Sequence, residues 1–427
     1  MKNLKNFIKR IFYRVLSIIN KGTILSNDNL ISQKEFFDSD IITIGLVVSS
    51  FDKGGLEQAV FNLYEGFWKK GIKAYVLCQT NNIGHFSNKL YSPEHLLIFN
   101  NNEKKFVDFC RNHRISWLHY HFNTFMIEKI RVLGIKTIYT IHSIYSWLSD
   151  YEIIKRAELI NTADYVVAVS KFTKDYYCIR TKTPSSKVSI IPIGINTKEL
   201  GENNLDDQYT RKSLGFSEND TVLGFIASFH EVKHQMNMVG AMERIIKIKP
   251  HTNLIFLGNI LQKHYYKKVK KYWKKSSAKN NIIHIPYIDH SQVGQFLRET
   301  IDIFILPTIQ EGCSNAVAEA LFCGKPMLLT NVGNAPDLQH LESVTIVGRA
   351  YENLYSFRQK DISKISFEKE SRNNAEIVDG VLNIINNFNG QMIAAKNAAE
   401  EYGKSLDVNA MVDKYFDLII NNKNSPL

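Results

Sequence analysis

The sequence predicts two α/β domains, each built on a parallel β-sheet, that face each other across a cleft. The chain has 427 residues, and two domains of roughly 150–200 residues are the expected division of such a length. From Ile41 to Cys78 an apolar strand, a glycine-containing loop, an amphipathic helix and a second strand follow one another, which is the pattern of a parallel βαβ unit. After a polar stretch over 196–210, a second α/β series begins.

The first domain is predicted over 41–195. It opens with the strand IITIGLVV, the loop SSFDKGG, the helix LEQAVFNLYEGFWKKG and the strand IKAYVLC. Later apolar runs are short and rich in β-branched or aromatic residues, which is typical of central strands. These runs are SWLHYH, IKTIYTIH, YVVAVS and VSIIPIG.

The stretch 196–210 is polar and aperiodic, so we interpret it as the interdomain linker. The second domain is predicted over 211–394, with helices over Gln235 to Ile248 and Asn315 to Cys323 and the strands TVLGFIA, NLIFLG, NIIHIPYI, DIFILP and PMLLT. Residues 395–427 are predicted to form helices that pack back on the first domain. Ligands of such sheets bind outside the carboxyl ends of the strands, so functional residues are expected in the cleft.

The net charge is +11, and residues 1–21 carry six basic residues and no acid. Apolar residues recur there at helical spacing, which predicts a basic amphipathic helix, followed by a polar connector over 22–40. No run of about 18 uncharged apolar residues is present, so a spanning helix is not expected, and the charges interrupt the apolar run too often for a signal peptide. We interpret the helix as contacting an anionic membrane surface. The alternative is a helix docked on its own protein.

A second basic stretch, 263–279, has eight lysines and no acid, and we interpret it as a solvated helix face. No recognised nucleic-acid-binding module accompanies this charge, so nucleic acid is not expected as a partner. The five cysteines are scattered and form no CxxC pair. This usage favours a reducing compartment over a disulfide framework or a zinc site.

The segment 306–337 contains two carboxylates around a helix start. Glu311 lies in a loop after a predicted strand, and the helix opens at Ser314 or Asn315, either of which is a good N-cap. The helix is almost wholly small or apolar and therefore buried, so Glu319 within it needs a partner. The vicinal hydroxyls of a ribose are one candidate and a structural ion pair is another, just as Glu311 is either a ligand-binding group or a surface acid. The free amides of the helix N-terminus suit a diphosphate.

Glu311 and Glu319, with seven residues between them in EGCSNAVAEALFCGKPMLLTNVGNAPD, closely resemble the E-x7-E motif of glycosyltransferase family 4. The resemblance covers most of 41–420. It implies the GT-B fold, with two Rossmann-like domains, and transfer of a sugar from a nucleotide-diphosphate sugar with retention of anomeric configuration. It also implies that Glu311 touches the donor sugar and that Glu319 binds the nucleotide ribose.

The resemblance extends to the residues around this pair. Gly312, Cys313 and Ser314 would offer backbone amides to sugar and phosphate, and the helix opening near Asn315 would add positive potential. YTIHS places His142 where the family has a cleft histidine that contacts the donor sugar, although a lone histidine after a strand is more often structural.

Two further loops share parts of the family pattern. SSFDKGGLEQAVFNLYEGF resembles the glycine loop of the first domain, which gives Gly54 and Gly55 backbone contact with donor phosphate or acceptor. ASFHEVKHQ matches the phosphate clamp GRLxxxKG imperfectly: Lys233 falls on the lysine, a suitable charge for a diphosphate. Ser228 stands where an arginine is common, so one cation is missing or another residue such as His230 replaces it.

No metal and no cofactor are expected beyond the nucleotide-sugar donor, for which a UDP-sugar is the first choice. The one DxD match, Asp38-Ser39-Asp40, precedes the first strand and is interpreted as polar linker. The resemblance implies front-face attack, with the leaving phosphate helping to deprotonate the acceptor.

The predicted function is a retaining, metal-independent hexosyltransferase that acts on a glycan or lipid-linked acceptor in cell-surface polysaccharide synthesis, such as O-antigen, capsule or lipopolysaccharide. It is expected in the cytoplasm, on the inner face of the cytoplasmic membrane. One alternative is another GT-B enzyme such as a nucleotide-sugar epimerase, which needs no acceptor. A dinucleotide binder is disfavoured because no GxGxxG follows the first strand. A non-catalytic scaffold is disfavoured because the chain retains Glu311, Glu319, His142 and Lys233.

Overall fold

Thirteen strands and a set of flanking helices organise residues 41–52 and 54–421, the part of the chain that the computed structural model describes. The strands before residue 200 are β1 (Thr43–Val48), β2 (Lys73–Cys78), β3 (Leu96–Ile98), β4 (Trp117–His121), β5 (Lys136–Ile141), β6 (Tyr165–Ala168) and β7 (Val188–Ile190). The strands after it are β8 (Thr221–Ile226), β9 (Thr252–Leu257), β10 (Ile282–Ile285), β11 (Ile303–Leu306), β12 (Met327–Thr330) and β13 (Val344–Val347).

The α-helices alternate with these strands and then continue alone at the end of the chain. In the first half they are α1 (Gly55–Lys69), α2 (Glu103–Asn112), α3 (Asp150–Ile160), α4 (Lys171–Thr181) and α5 (Thr197–Leu200). In the second half they are α6 (Gln235–Ile248), α7 (Lys263–Trp273), α8 (His290–Gln295), α9 (Asn315–Phe322), α10 (Gln359–Ile365), α11 (Asn374–Asn386), α12 (Phe388–Tyr402) and α13 (Val408–Asn421).

The strands form two sheets whose neighbours all pair in parallel. The first sheet has the order β3-β2-β1-β4-β5-β6-β7 and the second the order β10-β9-β8-β11-β12-β13. In each sheet the strand order reverses beside the first strand, between β1 and β4 and between β8 and β11. The predicted fold class, two α/β domains of the doubly wound type, is confirmed.

The predicted elements agree with the structure where apolar runs were long. The helix predicted over Gln235 to Ile248 has those bounds, and α1 buries one face, including Leu63, Tyr64 and Phe67, against the first sheet. The run VSIIPIG is not a central strand: β7 covers three residues at the sheet edge, and of these only Val188 is buried. The stretch interpreted as linker contains the short helix α5.

The last described helix, α13, packs against the first sheet although it follows the second in sequence. Its side chains Met411, Val412, Tyr415 and Ile419 belong to the first hydrophobic core. The preceding helix α12 instead contributes Ala398 to the second core. The chain therefore passes between the two cores twice, once after β7 and again between α12 and α13.

Several expectations concern residues outside those the structure describes. The amphipathic helix over 1–21, the connector over 22–40 and the DxD match at 38–40 all lie there. No helix within the described ranges is long and apolar enough to cross a membrane. The basic helix α7 buries Tyr265 and Val269 and leaves most of its lysines exposed, in agreement with a solvated face.

The packing of α13 on α1 predicts a stability effect at Gly66. A Cβ at this position would clash with Val412 Cγ2 and lie 2.9 Å from its Cγ1. Although alanine favours a helix over glycine by about 1 kcal/mol, we expect Gly66→Ala to lower the free energy of unfolding by about 1–3 kcal/mol through this overpacking. In a Val412→Ala background the same substitution should be neutral or stabilising. Chemical denaturation of the double-mutant cycle measures this, and equal effects in both backgrounds would contradict the packing.

Candidate active site

A cavity of about 440 Å³ lies between the two domains. Its wall from the first domain includes His142, Trp147 and Phe122, which follow β4 and β5. Its wall from the second domain includes Lys233 and Glu311, which follow β8 and β11. The remaining lining residues are Ser143, Ser146, His230, Val232, Gln262, Gln310, Gly312, Gln359 and Ile362.

The strand order explains why these residues meet. Because β8 and β11 are neighbours in the second sheet, the loops that leave their carboxyl ends diverge to opposite faces and leave a crevice. Lys233 ends a short 3-10 turn before α6, and Glu311 lies in the loop before α9. The two residues are 78 positions apart in sequence, and the Lys233 Nζ donates to Glu311 Oε2 in the cavity wall.

The Lys233–Glu311 ion pair is shielded from solvent, since the two side chains are 20% and 17% exposed. Lys233 is the one lysine or arginine among the described residues that line the cavity. Gly333, with a φ of +64°, backs the acid: a Cβ there would lie 2.8 Å from Glu311 Cβ. A cation and a carboxylate are thus held side by side at the second-domain wall.

The two domains approach each other closely at Gly312. A Cβ at this position would clash with the carbonyl oxygen of His142, so only glycine fits without a shift. The Gly312 carbonyl also accepts hydrogen bonds from Ser170 Oγ at 2.8 Å and Thr173 Oγ1 at 3.3 Å. Nearby, Gln310 Nε2 donates to Ser143 Oγ at 3.2 Å. The loop before α9 is therefore anchored on the first domain.

The start of α9 decides between the two N-cap candidates. Ser314 is the N-cap, and its side chain makes no capping hydrogen bond, while its backbone N–H donates to Asn334 Oδ1 at 3.1 Å. Asn315 is the first residue of the helix. Burial raises the pKa of the Cys313 thiol to about 12, so this side chain is not a thiolate nucleophile at neutral pH.

Glu319 is paired with a histidine of the same chain, which the sequence did not identify. Its side chain is 8% exposed, and its Oε1 lies 3.0 Å from His290 Nε2. The other ring nitrogen, Nδ1, lies 3.3 Å from Glu199 Oε2. Neither Glu319 nor these two partners line the cavity. His290 sits in a polar stretch without periodicity, so no sequence signal marked it.

His142 lines the cavity, and a second histidine supports its ring. His142 Nε2 lies 2.9 Å from His121 Nδ1, and its ring stacks on Phe122 with centroids 5.6 Å apart. Burial lowers the pKa of His142 to about 3. The ring is therefore neutral at physiological pH and can donate or accept one hydrogen bond with a ligand.

The support continues as a buried polar network that the sequence analysis missed. The His121 and His119 rings are 4.0 Å apart, and His119 Nε2 lies 2.7 Å from Thr140 Oγ1. Thr140 Oγ1 in turn lies 2.9 Å from the Tyr415 hydroxyl on α13. The alternation in SWLHYH is the signal that could have found it, because residues two apart share one face of a strand.

Two predicted positions are not part of this cavity. Gly54 and Gly55 are exposed at the start of α1 and are not among the lining residues. Gly54 has a φ of +154°, a backbone conformation that favours glycine, and a Cβ there would lie 2.6 Å from a Glu57 oxygen. Gly55 has open space around it.

Ser228 supplies no positive charge. Its carbonyl accepts from Gln235 Nε2 at 3.0 Å, and His230, not Ser228, reaches the cavity. Burial, and then the charge of Lys233, lower the pKa of His230, so this ring does not replace a guanidinium at neutral pH. Across 41–52 and 54–421, no group of three or more His, Cys, Asp or Glu could hold a metal ion.

The two doubly wound sheets and the cavity between them define the GT-B class of fold. Anabaena HepE, solved in complex with UDP-glucose, superposes with a TM-score of 0.72 at 17% identity, covering 89% of this chain and 100% of that one. At this identity the likeness concerns the fold alone.

Family comparisons add the identity of the chain. The family described as "Glycosyltransferase Family 4" matches residues 53–199, and "Glycosyl transferases group 1" matches residues 206–346. Together these matches cover well over half of the sequence. The chain belongs to the group 1/family 4 glycosyltransferases, as the E-x7-E resemblance predicted.

Curated relatives share modest identity. A phosphatidylinositol N-acetylglucosaminyltransferase component of Arabidopsis thaliana is 22% identical over 346 residues, 74% of this chain and 74% of that protein. The lipopolysaccharide core biosynthesis mannosyltransferase LpsB of Rhizobium meliloti is 25% identical over 185 residues, 42% of this chain and 49% of LpsB. For LpsB and two further relatives, the chain spans about half the length of the protein it matches.

The buried histidines predict a loss of stability in acid. Burial lowers the pKa of His119 and His121 well below the ordinary value, as it does for His142. Below about pH 6.5 these three histidines bind protons in the unfolded chain, whereas their buried rings stay neutral in the folded state. The free energy of unfolding should therefore fall by up to about 1.4 kcal/mol per pH unit for each such ring.

We expect His119→Gln to remove one of these contributions. Urea unfolding between pH 7.5 and 5.0 should show a shallower loss of stability for this variant than for the wild type. The exposed His85→Gln is the matched control and should follow the wild type. A variant with the wild-type slope would show that His119 is protonated in the folded state.

Proposed function

We propose that the protein is a retaining, metal-independent hexosyltransferase that uses a nucleotide-diphosphate sugar, with UDP-sugars the first choice. The observation that carries the proposal is the pairing of Glu311, the first acid of the E-x7-E motif, with Lys233 inside a cavity that both domains form. The acceptor we propose is a glycan or a lipid-linked glycan in the synthesis of cell-surface polysaccharide. The names of the relatives, which include a lipopolysaccharide mannosyltransferase, support this choice.

The chemistry requires fixed positive potential where the diphosphate leaves. In the proposed donor complex, the Lys233 ammonium exchanges Glu311 for a phosphate oxygen, and Glu311 then accepts from a sugar hydroxyl. The amides of the first turn of α9, which begins at Asn315, have no side-chain cap and would add donors for the same anion, whereas the Ser314 amide is engaged by Asn334. Such preorganised charge stabilises a leaving group without reorganisation of solvent. We assign the nucleotide ribose to Glu319, on the resemblance.

We propose that bond exchange takes place on one face of the sugar. The bond from the anomeric carbon to the diphosphate oxygen breaks, the acceptor hydroxyl oxygen bonds to the same face, and its proton passes to the leaving phosphate. Within the described cavity wall, Glu311 is the one carboxylate and it is paired with Lys233, which argues against a covalent glycosyl-enzyme. The neutral His142 ring serves as a hydrogen-bond partner of the sugar.

Two aromatic side chains of the cavity wall suit an acceptor. Trp147 is 46% exposed at the cavity wall, and its ring lies 6.1 Å from that of Phe122. Both belong to the first domain. An apolar ring face packs against the CH groups of a sugar or against a lipid chain. These rings therefore support acceptor binding at the first-domain wall.

The membrane location of the protein remains a proposal from the sequence. Residues 1–21 supply six basic charges, each contributing on the order of 1 kcal/mol near an anionic surface. We propose peripheral attachment to the inner face of the cytoplasmic membrane, where a lipid-linked acceptor would be available. The attachment would weaken as salt rises.

The function is tested by measuring the release of nucleoside diphosphate from UDP-, GDP- and ADP-sugars, with and without an extract of lipid-linked acceptors. We expect release of the nucleoside diphosphate and labelling of the extract, unchanged by EDTA. A new nucleotide sugar formed without an acceptor would identify an epimerase. No reaction with any donor would favour a scaffold.

Variants of the two acids should separate binding from turnover. We expect Glu319→Ala to weaken donor binding about tenfold or more, because hydrogen bonds to a charged group are lost. Glu311→Gln, which keeps the shape, should lower kcat about 100-fold. The exposed Glu128→Ala is the control. Wild-type transfer by both Glu319→Ala and Glu311→Gln would refute the assignment of this segment.

Trp147 should affect the acceptor and not the donor. We expect Trp147→Ala to raise the amount of extract needed for half-maximal transfer about fivefold, as for the loss of one buried aromatic contact. Trp147→Phe should retain most of the affinity. The donor KM and slow donor hydrolysis in the absence of acceptor should not change. Tyr91→Ala, at an exposed aromatic outside the cavity, is the control. A raised donor KM in Trp147→Ala would contradict an acceptor role.

A further inference from the structure

His290 lies between two carboxylates that come from different parts of the chain. It is the first residue of α8, and its Nε2 is 3.0 Å from Glu319 Oε1 on α9. Its Nδ1 is 3.3 Å from Glu199 Oε2 on α5, in the stretch that joins the two sheets. The three side chains are 39%, 8% and 31% exposed, in the order His290, Glu319, Glu199. The His290 imidazole therefore bridges the joining stretch and the helix of the E-x7-E motif.

This geometry fixes the charge of the ring. Carboxylate oxygens accept hydrogen bonds, and a neutral imidazole has only one N–H to donate, so a ring placed between two carboxylates favours the imidazolium form. The hydrogen bonds to Glu199 and then Glu319 raise the pKa of His290 to about 10. Asp289 beside it adds negative charge, and Lys89 faces Glu199. The single positive charge of His290 therefore pairs with two carboxylates, Glu199 and Glu319.

Glu199 is held firmly enough to act as an anchor. Asn196 Nδ2 donates to Glu199 Oε2 at 3.1 Å, and Asn196 Oδ1 caps α5 by accepting from the Glu199 N–H at 3.2 Å. Arg298, in the π-helical turn after α8, donates to the carbonyl of Glu202 at 2.7 Å and to that of Leu200. The joining stretch is therefore fixed along α8, and Glu199 cannot follow His290 if the ring moves.

We propose that His290, anchored by Glu199, is a positioning residue for Glu319 and so for the nucleoside of the donor. This inference rests on the proposed function, in which Glu319 receives the ribose. The imidazolium engages Oε1, fixes the carboxylate rotamer and leaves Oε2 for the two ribose hydroxyls. Glu199 binds no substrate, yet its loss releases His290 and thereby loosens Glu319. The joining stretch thus contributes to nucleotide affinity.

Calorimetric titration with UDP, GDP and ADP, on the full chain at pH 7, tests the inference. The Kd is compared for the nucleoside diphosphate that the wild type binds most tightly. We expect His290→Gln to raise this Kd about tenfold and Glu199→Gln to raise it about threefold to fivefold, because the two groups belong to one coupled network. The double variant should bind no more weakly than His290→Gln alone. Glu202→Gln is the matched control, since it is exposed in the same stretch, and it should bind as the wild type does.

The pH dependence of nucleotide affinity distinguishes a positioning role of His290 from a purely structural one. Affinity of the wild type should decline as pH rises through about 10, where His290 loses its proton, and the His290→Gln variant should lack that part of the decline. Melting temperatures, measured alongside, separate folding from binding. If His290→Gln does not fold, Glu199→Gln carries the test.

The outcomes separate the inference from the function on which it rests. If Glu319→Ala weakens binding while His290→Gln and Glu199→Gln bind as the wild type does, the positioning role is overturned and the proposed function stands. The same holds if these two variants lower the melting temperature and leave affinity unchanged. If the wild type binds none of the three diphosphates, the proposed function fails and the inference fails with it.

Discussion

The site depends on a backbone contact between the two domains, where Gly312 meets the carbonyl of His142 with no room for a side chain. The Gly312 carbonyl is satisfied by Ser170 and Thr173 of the first domain. A loop that would otherwise be free at the carboxyl end of β11 is therefore oriented by its neighbour. The contact anchors the loop that carries Glu311 and Gly312, two of the residues that line the cavity. The first domain therefore forms one wall of the cavity and also holds the loop of the second domain that carries Glu311.

The electrostatics of the cavity divide along the same boundary. Polarity on the first-domain side comes from uncharged groups, Ser143, Ser146 and the His142 imidazole, which burial keeps neutral and which a buried network ending at Tyr415 supports. Formal charge on the second-domain side is confined to Lys233 and Glu311 among the described lining residues. In a site that excludes water, opposite charges interact more strongly than in bulk solvent. The first-domain wall of the cavity is therefore uncharged, whereas the second-domain wall carries both formal charges.

Much of this arrangement was predictable from sequence, because parallel α/β units give strong local signals. Buried strands such as β1 are continuous apolar runs, and the family resemblance identified Glu311 and Lys233, which line the cavity, as well as Glu319, which does not. The short strands β3 and β13 and the polar helix α2 gave weak signals. His290 could not be predicted, since its contacts join residues 91 and 29 positions apart within polar sequence. Gly54 and Gly55 resembled a family loop, but resemblance to a motif does not determine which loop reaches a particular cavity.

The return of α13 to the first core has a consequence for how the protein is made. During synthesis the residues of the first domain leave the ribosome long before Val408–Asn421, at roughly 5–20 residues per second. Until that helix arrives, the apolar surface that receives Met411, Val412, Tyr415 and Ile419 lacks its cover. The hydroxyl of Tyr415 that ends the histidine network is missing for the same interval. The first domain to be translated is therefore the last to be completed, and a chain truncated before Val408 would expose this apolar face.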